Sequence, residues 1–199
     1  EKVSYGHDEE TKTRMAAEPD LGPIYGFQWR HFGAEYKGLD HDYAGKGVDQ
    51  LAKLVQKLKT KPSDRRMIVN AWNPTQIDEM ALPPCHYLFQ VTVINNEVNL
   101  FWNQRSVDTM LGLPFNIASY ATLLHLLTKE VNLYREAERL ELFEEGMLTG
   151  FLADTHIYVN HLDGAREQLE REPSELPSIE TRNFTSIIDW KYKETKVIG

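Results

Sequence analysis

The sequence contains one cysteine, Cys85, within Met80-Ala81-Leu82-Pro83-Pro84-Cys85-His86-Tyr87-Leu88-Phe89. The two prolines before it set φ and remove two backbone donors, so the thiol stands at the exit of a rigid turn. The run Tyr87 to Ile94 is rich in aromatic and β-branched residues and reads as a strand. A thiol at the mouth of a buried strand is placed for nucleophilic attack. A lone cysteine serving as a small buried hydrophobe is the simpler alternative, and Cys85 alone does not decide between them. Other groups with chemical potential lie elsewhere in the chain. Arg65-Arg66 precede a second strand-like run, where they are either a solvated turn or an anion clamp. Gln104-Arg105-Ser106-Val107-Asp108 ends the apolar run that begins at Val98. An arginine leaving such a strand is either paired or an anion ligand. Asn116 falls in the first turn of a helix, where a local cap is its simplest role. His156 and Tyr158 share a face if their segment is a strand.

The composition bounds what these groups serve. A chain of 199 residues is long enough for one domain with a sizeable core, and residues 1–199 are read as one domain. The formal net charge of −8, without a long basic run, argues against a nucleic-acid polymer but not against a small phosphorylated ligand. One cysteine forms no internal disulfide and too few thiols for a zinc cluster, so no metal is expected. No apolar stretch approaches a membrane span and no signal peptide opens the chain, so a cytoplasmic protein without a membrane partner is expected. The first residue is Glu, so the chain reads as processed, trimmed or part of a longer protein.

The elements that position the chemistry follow from pattern. Residues 1–19 lack periodicity and read as a loop. Phe27 to Phe32 alternates polar and aromatic, and Gly38 to Gly47 is a Gly/Asp-rich loop. Val48, Leu51, Leu54, Val55 and Leu58 mark a helix that Pro62 stops. Met67 to Trp72 reads as a strand, and Asn95-Asn96 as a two-residue hairpin turn between the strands on either side. The strongest helix opens at Gly112-Leu113-Pro114, with Ile117, Tyr120, Ala121, Leu124 and Leu127 as its buried stripe. A second, acidic helix is expected over Tyr134 to Glu145. A partly alternating segment, Phe151 to Tyr158, then leads into a helix from about His161 to Arg171. The tail after Pro173 is polar, with a strand-like run at Thr185–Trp190.

Six stretches occur together in one order: Gly22-Pro23-Ile24-Tyr25-Gly26-Phe27-Gln28-Trp29-Arg30; Asp64-Arg65-Arg66; Ala81-Leu82-Pro83-Pro84-Cys85-His86; Gln104-Arg105-Ser106; Leu111-Gly112-Leu113-Pro114-Phe115-Asn116-Ile117-Ala118-Ser119-Tyr120; and Asp154-Thr155-His156-Ile157-Tyr158. On these the chain resembles the thymidylate synthase family, over Gly22 to Trp190. The resemblance implies an α/β (α+β) fold, a mixed β-sheet backed by helices that dimerises through the sheet. It implies folate-dependent one-carbon transfer from 5,10-methylenetetrahydrofolate to C5 of dUMP. Thiolate addition at C6 makes C5 nucleophilic. Cys85 would be that nucleophile, with nearby arginines favouring its thiolate.

The same resemblance assigns further roles. His86, Tyr25, Asn116 and Asp108 join Cys85 as catalytic residues, Tyr25 in proton transfer at C5. Gln104, Arg105 and Ser106 hold the nucleotide phosphate side, and Arg65 and Arg66 reach it from the other subunit of a homodimer. Asn116 reads the pyrimidine edge, because an amide donates to O4 and accepts from N3–H of uracil. His156 and Tyr158 bind the ribose. Leu82, Asp108, Leu111, Gly112 and Phe115 wall the folate. Departures from the family pattern leave other readings open. The segment before Gly22 is shorter than usual, so the N-terminal part of the family domain is expected to be missing. Tyr5 is the nearest match to a usual upstream tryptophan, Asn103 replaces the usual Tyr before Gln-Arg-Ser, and the closing C-terminal segment is replaced or cut away. A wetter site would add water to the exocyclic methylene and give 5-hydroxymethyl-dUMP, as in phage hydroxymethylases. A non-catalytic subunit is the third reading.

Overall fold

The computed structural model describes residues 8–199; Tyr5 lies outside them. The centre is a four-stranded sheet ordered β1-β2-β3-β4, from β1 (Ile68–Asn70), β2 (His86–Ile94), β3 (Glu97–Asp108) and β4 (Glu144–His156). The first three strands pair antiparallel. Asn95 and Asn96 turn β2 into β3, both with positive φ (51° and 68°), as the two-residue turn requires. β3 and β4 pair parallel, which demands a long crossover. That crossover is helix α4 (Gly112–Ala137).

Period-two alternation sorts the sheet into two faces. Phe89, Val91, Val98, Leu100 and Trp102 are buried on the inner face, against Leu51, Leu54 and Leu58 of α3 (Gln50–Thr60) and Tyr120, Leu124, Leu127 and Val131 of α4. Asp49 caps α3, its carboxylate accepting the Ala52 N–H (2.8 Å). The outer face carries Ile68, Phe101 and Phe151, all exposed. The predicted α3, the β2–β3 hairpin and the helix after Phe151, α5 (Leu162–Leu169), are all present.

Other expectations are corrected. Glu9–Ala17 is a helix (α1), started by Asp8, whose carboxylate accepts the Thr11 N–H. The aromatic alternation at 27–32 belongs to helix α2 (Tyr25–His31). No separate acidic helix spans Tyr134 to Glu145: α4 runs on to Ala137 and Glu144 already belongs to β4. Glu130 is buried inside α4, accepting from Lys59 Nζ and from the Ile187 N–H (2.8 Å). Ile117 stands outside the buried stripe, exposed. Thr185–Trp190 is not a strand but contains a turn at 187–189. The strands of the tail are β5 (Ser178–Thr181) and β6 (Thr195–Ile198), paired antiparallel on either side of it.

Candidate active site

Cys85 is half-buried where the Pro83-Pro84 turn enters β2. At that point β2 carries a bulge: His86 pairs with Gln104, and Leu88 already with Asn103. The extra residue, Tyr87, gives its carbonyl to the Ala71 N–H instead (2.7 Å). Bulges re-aim neighbouring side chains, and this one sets Cys85 level with Arg105, whose N–H donates to the Cys85 carbonyl (2.9 Å). The Arg105 guanidinium donates to the carbonyls of Pro84 (Nε, 3.0 Å) and Pro83 (Nη2, 2.8 Å). It also lies over the Trp72 ring, 5.7 Å from its centroid. An always-charged group is thus tied to the turn that carries the thiol, with N–H groups left for an anion.

Tyr25 approaches from α2, and its hydroxyl oxygen accepts the Cys85 N–H (2.9 Å). Burial pushes its pKa above the ordinary phenol value, partly offset by that N–H and by the Arg105 charge. Its proton is therefore retained at neutral pH. Tyr25 stacks on His86 (4.5 Å between centroids), and His86 Nδ1 meets the Tyr120 hydroxyl (2.9 Å). Desolvation depresses His86 to about 4, so its ring is neutral at physiological pH. Behind Tyr25, buried Gln28 donates to the Pro23 carbonyl and to Gln76, while Asn73 donates to both glutamines. Gly22 (φ +80°) makes the approach possible, because a Cβ there would sit 2.2 Å from the Glu79 carbonyl oxygen.

A second group adjoins this one. Gln104, two per cent exposed, donates from Nε2 to Asn116 Oδ1 (2.9 Å) and to the Ser106 carbonyl (3.1 Å). Asp108 accepts the N–H groups of Met110 and Leu111 and so closes the turn into α4. A Cβ on Gly112 would touch Asp108 Cβ (3.4 Å) and come within 3.8 Å of Asn116 Oδ1, so these three lie together. His156 pairs with Asp108 across β3 and β4 and meets Tyr158 edge-on (5.2 Å). Leu82, Leu111 and Phe115 are exposed apolar side chains around this end of the sheet.

Arg65 and Arg66 do not join the group. The Met67 carbonyl accepts from Val91, and Arg65 gives its own carbonyl to Gln90 Nε2. Arg66 is therefore level with Thr92, seven residues beyond Cys85, or about 20 Å at ~3.3 Å per residue. Both arginines are exposed. Asn103 pairs with Leu88 and Phe151, and strand alternation turns it to the face opposite Gln104, the face from which Arg105 leaves β3. Sequence reasoning missed Trp72, Trp102, Tyr120, Gln28, Asn73 and Gln76. Their signal was faint: Trp102 and Tyr120 read as core residues of a strand and a helix, and no pattern gives Trp72, Gln28, Asn73 or Gln76 a role at a site. Among the described residues no helix is long and apolar enough to cross a membrane, and no three His, Cys, Asp or Glu side chains form a group that could hold a metal ion.

A family model described as Thymidylate synthase matches residues 7–199. The thymidylate synthase of Ascaris suum is 48% identical over 172 residues, covering 86% of this chain and 55% of that protein. The human thymidylate synthase is 45% identical over 183 residues, covering 92% and 55%. A bifunctional dihydrofolate reductase-thymidylate synthase of Paramecium tetraurelia is 45% identical over 182 residues, covering 92% and 37%. The chain spans about half the length of the first two relatives and about a third of the last.

Proposed function

Because this chain belongs to the thymidylate synthase family, we propose that it carries a site for one-carbon transfer to C5 of dUMP, giving dTMP. The observation that carries the proposal is the connected set Tyr25–Cys85–Arg105, with Gln104–Asn116 beside it. In this reading the Cys85 sulfur adds to C6, and C5 gains enolate character and attacks the one-carbon unit of 5,10-methylenetetrahydrofolate. Loss of the C5 proton expels tetrahydrofolate and leaves an exocyclic methylene; tetrahydrofolate gives that methylene a hydride and becomes dihydrofolate, and Cys85 leaves C6 as dTMP forms. Tyr25, which keeps its own proton, takes part in removing the C5 proton as a relay, passing its own proton on as its oxygen accepts the other. The free N–H groups of Arg105 face the phosphate beside Ser106, Asn116 reads O4 and N3–H, and His156 with Tyr158 takes the ribose. The exposed apolar Leu82, Leu111 and Phe115 suit a flat pterin. A second copy of the chain is the proposed partner. It would cover the outer sheet face and bring Arg65 and Arg66 to a site that they do not reach within their own chain.

The hydroxymethylase reading drew on the missing upstream tryptophan, the altered C-terminal segment and Asn103, which lies on the strand face opposite Gln104; product analysis decides between the two. The test is capture of 5-fluoro-dUMP with methylenetetrahydrofolate, read by mass spectrometry. A covalent adduct on the native chain, lost in Cys85→Ser, is expected. No adduct on the native chain would point to a non-catalytic subunit. Product analysis with dUMP then separates dTMP from 5-hydroxymethyl-dUMP.

A further inference from the structure

We propose that Trp102 is a positioning residue that sets the preference of this site for uracil over cytosine. The inference rests on the dUMP reading above. Trp102 is buried on the inner face of β3, stacked on Tyr120 (5.4 Å, planes 13° apart). Its indole Nε1–H points along the strand to Gln104 Oε1 (3.2 Å). An indole nitrogen only donates, so it holds the oxygen end of the Gln104 amide. The nitrogen end must then face Asn116 and the Ser106 carbonyl, as found. A donor arriving at Asn116 in turn holds its Oδ1, leaving Nδ2 to donate elsewhere. Hydrogen-bond direction passes from Trp102 through Gln104 to Asn116.

That direction suits one pyrimidine. Uracil offers O4 as acceptor and N3–H as donor, which match Asn116 Nδ2 and the second lone pair of Oδ1. Cytosine reverses both groups and requires a flipped Asn116. The flip would set Asn116 Nδ2 against Gln104 Nε2, donor against donor. A second observation shows that the indole is held in place. Gly150 pairs with Trp102 across β3 and β4, and a Cβ on Gly150 would lie 2.4 Å from indole Cζ2 and 2.5 Å from Cη2. The glycine leaves the space that the ring fills.

The experiment measures binding of dUMP and of dCMP to the full chain by calorimetry. Trp102→Phe keeps a ring and removes the donor. Gly150→Ala keeps the donor and displaces the ring, and it reads the same effect if Trp102→Phe fails to fold. In each folded variant the ratio of the dCMP to the dUMP dissociation constant is expected to fall about tenfold, the scale of one buried hydrogen bond. A merely structural role would weaken both ligands alike and leave the ratio unmoved, which overturns the proposal. A native chain that does not prefer dUMP overturns the dUMP reading itself, and the role of Trp102 with it.

Discussion

Tyr25→Phe separates two tasks that meet on one oxygen. That oxygen accepts the Cys85 N–H at 2.9 Å, and its own proton is kept by a phenol raised above its usual range. The phenylalanine preserves the stack on His86 and removes both functions. Losing the acceptor leaves the N–H of a half-buried residue unpaired, which costs about 1–2 kcal/mol. For a domain near this length that lowers the melting temperature by roughly 2–8 °C. If the hydroxyl also carries the C5 proton, its loss removes general acid–base assistance of ~10²–10⁴-fold. Tritium release from [5-³H]dUMP reads C5–H cleavage directly and is expected to slow at least about a hundredfold. Capture of 5-fluoro-dUMP needs no C5 proton to leave, so the adduct should still form. Tritium release at the native rate would refute a proton role. Loss of tritium release together with the adduct would show that Tyr25 acts only by holding the Cys85 turn.

His86 and Gly22 yield two further outcomes. The folded His86 ring titrates near 4 and the unfolded ring near 6.5, so between these values the unfolded state binds more protons. The stability that depends on a neutral His86 is complete above about pH 6.5 and is lost as pH falls to 4. The loss is about 3 kcal/mol, from 1.36 kcal/mol per pKa unit. Denaturant unfolding across this range should show a smaller acid-induced loss in His86→Gln than in the native chain, and equal slopes would refute the neutral buried ring. Gly22→Ala places a methyl 2.2 Å from the Glu79 carbonyl oxygen at φ +80° and is expected to cost at least about 2 kcal/mol, visible as a melting temperature lower by ~4 °C or more. A shift under 1 °C would contradict the close crossing of Gly22 over the turn before Cys85.

Periodicity exposed those elements whose pattern is local. The stripe Leu51, Leu54, Leu58 announced α3, and Asn95-Asn96 announced its hairpin, because each depends on neighbours a few residues away. Where distant partners decide, the reading failed. The acidic stretch from Tyr134 reads as a separate helix, but α4 runs through to Ala137, with Glu130 held inside it by Lys59 and the Ile187 N–H. The α2 segment alternates like a strand, yet it is a helix whose Gln28 is buried among amide partners 45 and 48 residues away.

The site divides along the same line. Cys85, Tyr25, Arg105, Asn116 and His156 were legible as residues because six motifs occur in order. The motifs name side chains but say nothing of the direction of the bonds between them. Direction here comes from groups able to act in only one sense: an indole N–H at Trp102, backbone carbonyls at Pro83, Pro84 and Ser106, a backbone N–H at Cys85. Each orients a neighbour: the amide of Gln104, the guanidinium of Arg105 or the hydroxyl of Tyr25. A motif match therefore identifies which atoms are available for chemistry, whereas the one-sense donors and acceptors behind them determine which way those atoms face.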